Sequence, residues 1–153
     1  MRVSLVYPGI GGKGFDSIGQ GMDSGWISHG LAILGACAKE AGHDVELIDL
    51  RALRGWDHFR RVLGERRPQV AAVTMMSVDY DPAIRALEII REVDPDIVTV
   101  VGGAHPTIMP DELTENPTID HIFLGEGEET LPEALDALAR GEALPRLIPG
   151  THP

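Results

Sequence analysis

The chain has 153 residues, 43% of them hydrophobic and 24% charged, which fits a single globular domain and argues against disorder, collagen-like structure and a coiled coil. A formal net charge of -11 repels phosphate backbones and anionic lipid, so we expect neither nucleic acid nor a membrane as a partner. The single cysteine, Cys37, cannot form an internal disulfide, and alone it cannot hold a multi-thiolate zinc or iron–sulfur site.

The first apolar run, residues 3–7, predicts a β-strand that ends at Pro8 and Gly9. This run is too short for the core of a signal peptide or for a membrane-spanning helix. Together with the single cysteine, it predicts a cytoplasmic protein.

Further strand-length runs alternate with segments of helical period along the chain. Strands are predicted at residues 45–50, 70–74, 97–101 and 119–124, and most are apolar on both faces, as in a buried parallel sheet. The apolar stripes of the intervening helices are Leu31, Leu34, Ala38 and Ala41, then Phe59, Val62 and Leu63, then Ala83, Ala86, Leu87, Ile90 and Val93, and finally Leu131, Ala134, Leu135 and Leu138. The pattern predicts an α/β fold with a doubly wound, five-stranded parallel sheet, Rossmann-like or flavodoxin-like.

The last residues carry no periodic pattern. Residues 143–153 contain three prolines and are predicted to form a linker. We therefore expect the folded domain at residues 1–142, with the linker leading towards a domain that this chain lacks.

The loops that follow the predicted strands are long and rich in glycine, whereas the loops that precede them are short. The long loops are residues 8–28, 75–80, 102–110 and 125–129. Ligands of open α/β sheets bind outside the carboxyl ends of the strands, and glycine lets the backbone approach a ligand closely. The sequence therefore predicts a binding site at this edge of the sheet.

A nucleotide cofactor is one alternative for that site. Gly9, Gly11 and Gly14 have the G-x-G-x-x-G spacing, and Asp49 stands where a ribose-binding acid would lie. A long loop separates these glycines from the next helix, however, and Lys13 is not followed by the Ser or Thr of a phosphate-binding loop. A flavin- or dinucleotide-binding oxidoreductase module stays open as an alternative, and a cofactor-free interaction domain is a third.

His105 is the histidine nearest the predicted site, because it follows Gly102 and Gly103 after the fourth strand. It could contact a ligand directly, or it could cap its loop by hydrogen bonding. Asp16 and Glu126 are acids at the same edge. No HExxH spacing and no Ser-His-Asp or Cys-His arrangement can be argued from the sequence, so no catalytic residue is predicted.

Three stretches of the chain carry a family resemblance: residues 29–45, residues 100–107 with the pattern GG-x-H-P-T, and residues 125–130 with GEGEE-T. In this order they closely resemble the N-terminal cobalamin-binding domain of B12-dependent radical SAM enzymes. The likeness is to the branch that includes the anaerobic magnesium-protoporphyrin monomethyl ester cyclases and many methyltransferases. It covers nearly the whole chain.

The resemblance implies cobalamin bound base-off, with its corrin on the carboxyl edge of the sheet and its nucleotide tail inserted beside the strands. Thr74 would hydrogen-bond the tail, because residues 74–76 stand where cobalamin-binding folds place Ser-x-Leu. Gly102 and Gly103 would approach the ribose and phosphate of the tail, and residues 125–127 would border the benzimidazole pocket.

The lower face of cobalt lacks a predicted histidine ligand, because the stretch that aligns with Asp-x-His-x-x-Gly, residues 16–19, contains none. The resemblance leaves that face to water or to Met76, Ser77 or Tyr80. The cofactor-binding residues it implies are Pro8, Gly9, Thr74, Met75, Met76, Ser77, Gly102, Gly103, His105, Gly125, Glu126 and Gly127.

The catalytic half of such enzymes needs a Cys-x3-Cys-x2-Cys motif for its [4Fe-4S] cluster, and one cysteine cannot supply it. We therefore expect S-adenosylmethionine and the cluster to belong to a radical SAM domain, acting in cis or in trans. The chain itself would not be catalytic. It would bind cobalamin and present it to that domain for methyl transfer or cyclisation.

Overall fold

The computed structural model describes residues 1–12, 14–18 and 28–150, and its centre is a parallel β-sheet. In this part of the chain the sheet has six strands in the order β2-β1-β3-β4-β5-β6. Their bounds are Arg2–Tyr7 (β1), Asp44–Asp49 (β2), Val70–Thr74 (β3), Val98–Gly102 (β4), His121–Leu124 (β5) and Leu147–Pro149 (β6). Because β1 lies between β2 and β3, the strand order reverses at β1, as in a doubly wound sheet.

Five helices of this part pack on the two faces of the sheet. They are α1 (His29–Glu40), α2 (Trp56–Arg66), α3 (Tyr80–Val93), α4 (Ala104–Ile108) and α5 (Thr130–Ala139). Single turns of 3-10 helix span Leu50–Ala52, Ser77–Asp79 and Pro110–Glu112. The first long helix begins where Ser28 caps it, with the Ser28 hydroxyl accepting the Leu31 N–H at 3.4 Å.

Each face of the sheet has its own hydrophobic core. The face under α2 and α3 is filled by Val6, Val73 and Val101 together with Phe59 and Leu87 and their neighbours. The opposite face, under α1 and α5, contains another cluster, to which β1, β4, β5, α1 and α5 contribute Leu5, Val100, Phe123, Leu31 and Leu131. Adjacent strand residues thus serve opposite cores, which explains why the strands are apolar on both faces.

The sixth strand corrects the predicted count of five. Leu147–Pro149 pairs with β5 inside the stretch that the sequence predicted as a linker, and Ile148 is buried. A three-residue strand that ends in a proline has no period to detect. It tolerates Pro149 because β6 is an edge strand, where the backbone bond to β5 comes from the Gly150 N–H, 2.6 Å from the Leu124 carbonyl.

A polar network closes the amino edge of the sheet, away from the glycine-rich loops. One carboxylate oxygen of Asp120 accepts the Thr99 N–H at 2.8 Å and the Arg91 guanidinium at 2.9 Å. Burial acts to raise the pKa of Asp120, but these hydrogen bonds outweigh it and hold the pKa below its usual value. Side chains fill this edge, which leaves the carboxyl edge for a ligand.

Candidate functional site

A pocket of about 170 Å³ opens between the sheet and helices α1 and α5 at the carboxyl edge. We call it the slot. Its apolar lining comes from β1, β3, β4, β5, α1 and α5: Leu5, Ala72, Val73, Val100, Phe123, Leu31, Leu34 and Leu131. Its polar lining consists of Ser28, Gly30, Thr74, Gly102, Gly103, Gly125, Glu126, Gly127 and Glu128. This division favours a ligand with an apolar ring attached to polar groups.

Gly103 shapes one wall of the slot. Its φ of +113° is a conformation that residues with a side chain rarely adopt. A Cβ there would lie 2.9 Å from the Met75 carbonyl oxygen and 3.1 Å from the Thr74 hydroxyl. The ends of β3 and β4 can therefore lie this close only because residue 103 is glycine.

Thr107 joins the two glycine-bearing loops at the slot. Its hydroxyl donates to the Gly103 carbonyl at 2.8 Å and accepts the Gly125 N–H at 2.9 Å. On the other side of the slot, a Cβ on Gly127 would lie 3.2 Å from the Leu34 side chain. The loop after β5 is thus held between α4 and α1, with its backbone facing the slot.

Six of the twelve site residues expected from the sequence line the slot: Thr74, Gly102, Gly103, Gly125, Glu126 and Gly127. The other six lie outside its lining, in the segments that follow β1, β3 and β4: Pro8, Gly9, Met75, Met76, Ser77 and His105. Pro8 is buried, and a Cβ on Gly9 would overlap the Tyr7 ring. Met75 is fully buried in the core under α2 and α3, whereas Met76 and Ser77 are exposed.

His105 is buried, with 7% of its surface exposed, and its ring faces protein groups. Nδ1 lies 3.1 Å from the Ser77 hydroxyl. Nε2 lies 3.2 Å from a Glu112 carboxylate oxygen, which is ion-pair distance without the alignment of a linear hydrogen bond. The Tyr80 ring packs edge-on at 5.0 Å between centroids. In this conformation the imidazole holds its loop by hydrogen bonding, which is the second of the two roles expected for it.

A charged cluster lies at the carboxyl ends of β1 and β2, outside the lining of the slot. Arg51 pairs with Asp49 at 2.7 Å and lies over the Tyr7 ring, 4.8 Å from its centroid. Asp79, 6% exposed, accepts a hydrogen bond from the Gly11 N–H. Burial raises the pKa of Asp79, against the lowering effects of Gly11 and Arg51, and burial also raises the pKa of Tyr7.

The glycine-rich loop after β1 packs on this cluster. The Asp16 and Ser17 N–H groups donate to the Leu53 and Arg51 carbonyls at 2.8 and 2.9 Å. A Cβ on Gly11 would lie 2.7 Å from the Val78 carbonyl oxygen. The close approach at Gly11 is therefore made to protein backbone, and Gly9, Gly11 and Gly14 open no helix in the described residues, which argues against a dinucleotide site. Lys13 and Gly19 lie outside the residues that the structure describes.

The sequence missed the apolar half of the slot. Ala72 on β3, Leu34 on α1 and Phe123 on β5 line it, and the sequence assigned such residues only to the core. A signal was present in Ala71 and Ala72, two small residues in the middle of β3, of which Ala72 lines the slot and leaves space that Val or Ile would fill. Within residues 1–12, 14–18 and 28–150, no three His, Cys, Asp or Glu residues come together as a metal site, and no helix there is long and apolar enough to cross a membrane.

Comparison with known proteins gives concordant matches. The family model described as the B12 binding domain matches residues 22–135. The anaerobic magnesium-protoporphyrin IX monomethyl ester cyclase of Rubrivivax gelatinosus is 33% identical over 144 residues, which cover 92% of this chain and 25% of that protein.

Solved structures share the fold. The radical S-adenosylmethionine methyltransferase TsrM from Kitasatospora setae has a TM-score of 0.72 at 24% identity, over 92% of this chain and 26% of TsrM. The cobalamin-dependent S-adenosylmethionine radical enzyme OxsB, with aqua-cobalamin and S-adenosylmethionine bound, has a TM-score of 0.69 at 20% identity, over 93% of this chain and 19% of OxsB. The chain spans about a quarter of the length of the relatives it matches.

Proposed function

The chain belongs to the B12 binding domain family, and from this premise we propose that it binds cobalamin base-off, with the nucleotide tail in the slot and the corrin over the carboxyl edge of the sheet. The family model and the curated relatives confirm the family and the cofactor class that the sequence predicted, and the solved structures confirm the α/β fold class. The observation that carries the base-off proposal is the slot itself.

The size and lining of the slot fit one ring system of such a ligand. Pockets that bury a whole drug-sized molecule measure about 300–1,000 Å³. At about 170 Å³ the slot has room for a flat bicyclic base with apolar contacts on both faces, but not for the whole cofactor. The corrin would therefore remain outside, on the edge of the sheet.

The residues at the mouth suit the polar part of the tail. Gly102 and Gly103 bring backbone close to the position of a ligand without side chains in between, and the Thr74 hydroxyl stands next to them. Cobalamin, when bound, supplies the chemistry of its cobalt, and this chain supplies orientation and shields the base from water. Leu34, Val100 and Phe123 would hold the base away from cobalt by burying it.

We further infer that a radical SAM domain, in cis or in trans, receives the bound cofactor for methyl transfer or cyclisation. Two facts support this: the relatives are about four times as long as this chain, and Cys37 alone cannot bind a [4Fe-4S] cluster. The connection to that domain would follow β6, within the segment expected to be a linker.

The experiment fills the slot and compares two corrinoids. Ala72→Phe would place a ring where we expect the base, whereas Ala139→Phe adds the same ring at an exposed position of α5. Each purified protein is mixed with hydroxocobalamin, or with cobinamide, which has no nucleotide tail, then gel-filtered, and its visible spectrum is recorded. Unfolding in urea identifies a variant that fails to fold, and the smaller Ala72→Val then replaces Ala72→Phe.

We expect the wild type and Ala139→Phe to retain hydroxocobalamin with a base-off spectrum. Ala72→Phe should bind it at least about tenfold more weakly and should bind cobinamide as the wild type does. Equal loss of both corrinoids would place the tail elsewhere. Retention of FMN or NAD in parallel samples would support the oxidoreductase alternative, and a wild type that retains none of them would contradict cobalamin binding.

A further inference from the structure

A network of polar contacts links Ser77, His105 and Glu112, none of which lines the slot. The Ser77 hydroxyl lies 3.1 Å from His105 Nδ1, and His105 Nε2 lies 3.2 Å from the Glu112 carboxylate. This network runs from an exposed serine, through a buried imidazole, to a half-exposed carboxylate. It follows the carboxyl ends of β3 and β4, the edge on which we place the corrin.

The carboxylate sets the direction of the hydrogen bonds in this network. In the neutral ring the negative charge of the Glu112 carboxylate, 3.2 Å from Nε2, favours the tautomer with the positive N–H end at Nε2 over the one with a lone pair there, although the contact is not a linear hydrogen bond. Nδ1 is then an acceptor, so the Ser77 hydroxyl donates its hydrogen to it. The Ser77 oxygen is left with lone pairs only, and it can accept a hydrogen bond but has no hydrogen to donate outwards.

The backbone and the ring of His105 are both held in place. The backbone N–H of His105 donates to the Met75 carbonyl at 3.1 Å, and the backbone N–H of Met109 donates to the His105 carbonyl at 2.8 Å. The Tyr80 ring packs edge-on against the imidazole. An exposed serine hydroxyl normally rotates freely, but this one is oriented before any ligand arrives, which lowers the entropic cost of binding.

Exposed apolar side chains lie on the two chain segments that carry Ser77 and His105. Val78 and Met76, its two chain neighbours, are 78% and 44% exposed, and Ile108 and Met109 on the adjoining end of α4 are 72% and 45% exposed. Several large exposed apolar side chains on the segments that hold an oriented polar atom are typical of a surface that a ligand covers.

We propose that Ser77 is a hydrogen-bond acceptor for an N–H or O–H donor of the bound corrinoid, and that His105 and Glu112 are positioning residues that fix its polarity. This inference rests on the proposed function. The donor could be a primary amide of the corrin periphery or a water ligand of cobalt, which offer the same chemistry to an acceptor.

The test uses two forms of cobinamide, so that the slot plays no part. Diaquocobinamide offers axial water and the peripheral amide and hydroxyl groups as donors, whereas dicyanocobinamide offers the peripheral groups alone. Dissociation constants are measured by spectral titration for the wild type, Ser77→Ala, Ser77→Thr and Glu112→Ala. Thr114→Ala is the matched control, because it removes an exposed hydroxyl that donates to the Asp111 carbonyl.

Ser77→Ala should weaken binding about three- to tenfold, the usual worth of one hydrogen bond, and Glu112→Ala should weaken it by less. Ser77→Thr and Thr114→Ala should bind as the wild type does. A loss with both corrinoids identifies a donor on the periphery of the corrin, and a loss with diaquocobinamide alone identifies axial water. Wild-type affinity of Ser77→Ala for both forms would overturn the proposal while leaving cobalamin binding intact; a wild type that binds neither form overturns both.

A second measurement needs no ligand. The nitrogen chemical shifts of His105 report which ring nitrogen carries the hydrogen, and we expect the Nε2–H tautomer in the wild type. Glu112→Ala should shift the ring towards a mixture of tautomers. A wild-type ring with its hydrogen on Nδ1 would overturn the assigned polarity, whatever the corrinoid titrations give.

Discussion

Replacing Gly103 by alanine perturbs the slot at its tightest point. The new Cβ would meet the Met75 carbonyl oxygen at 2.9 Å and the Met75 nitrogen at 3.2 Å. Both are backbone atoms at the end of β3, so neither can rotate away as a side chain would. Relief requires the start of α4 to move away from β3, which widens the mouth of the slot and displaces the Thr74 hydroxyl.

Two costs add in Gly103→Ala. Holding a residue with a side chain at a φ of +113° costs about 1–3 kcal/mol, and overpacking costs about as much again before the backbone relaxes. Relaxation relieves part of both, so we expect the free energy of unfolding to fall by about 2–4 kcal/mol. A domain with about 5–15 kcal/mol of stability survives that loss and remains folded for a binding assay.

Urea unfolding followed by circular dichroism measures the loss. With a slope of about 1–3 kcal/mol/M, the midpoint should fall by about 1–2 M. Retention of hydroxocobalamin should weaken about tenfold, because the mouth has moved. Gly64→Ala is the control: it lies on α2 with nothing within 4 Å of the new Cβ, and it should stabilise the chain by about 0.5–1 kcal/mol. A Gly103→Ala midpoint equal to that of the wild type would refute the reasoning.

Three further changes test the rest of the structure. Burial raises the pKa of Asp79 above its ordinary 3.8, so the contribution of Asp79 to the free energy of unfolding should decline as the pH rises from 3.8 through its pKa in the folded state, and the difference between wild type and Asp79→Asn in urea unfolding should change with pH accordingly. If the free energy of unfolding of Asp79→Asn depends on pH as that of the wild type does, this reasoning is contradicted. The Asp120 pKa is lowered, so its contribution is present above pH 3.8 and is lost at more acidic pH. Asp120→Asn should therefore lower the free energy of unfolding by about 1 kcal/mol at pH 7, a figure discounted for the partial exposure of Asp120, and should change it little near pH 2. An equal decrease at both pH values would contradict the stabilising role of the network around Asp120. The Arg146 guanidinium donates to the Leu113 and Asn116 carbonyls, so Arg146→Ala should loosen β6, seen as faster amide exchange at Ile148, while the Val6 amide in β1 keeps its protection.

The sequence predicted the sheet from the strand runs and the site from loop length. Buried parallel strands need apolar residues on both faces, and this local pattern predicts β1 to β5. The same pattern could not predict β6, because this three-residue edge strand is stabilised by pairing with β5 and by Arg146, which lies more than twenty residues away from β5 in the chain. The linker expected at residues 143–153 therefore contains part of the sheet.

Within the site, the glycines were predictable and the apolar lining was not. Gly103 and Gly125 stand out in a sequence because their positive φ favours glycine, and Gly102 was recognisable as the neighbour of Gly103 in the Gly-Gly pair. Leu34, Ala72 and Phe123 look like any core residues, and the space between them depends on how α1 and α5 pack on the sheet. For His105, the position at this edge of the sheet was predictable, but the contacts of its ring with Ser77 and Glu112 were not.

The amino-acid order alone determined the family, the α/β architecture and the edge of the sheet that carries the glycine-rich loops, because these follow from periodicity, glycine placement and motif order along the chain. Tertiary structure decided the sixth strand, the slot and the contact of Ser77 with His105. Each of these arises from contacts between segments that are distant in the chain, and no local pattern encodes the gap left between packed elements or the partner that a side chain meets.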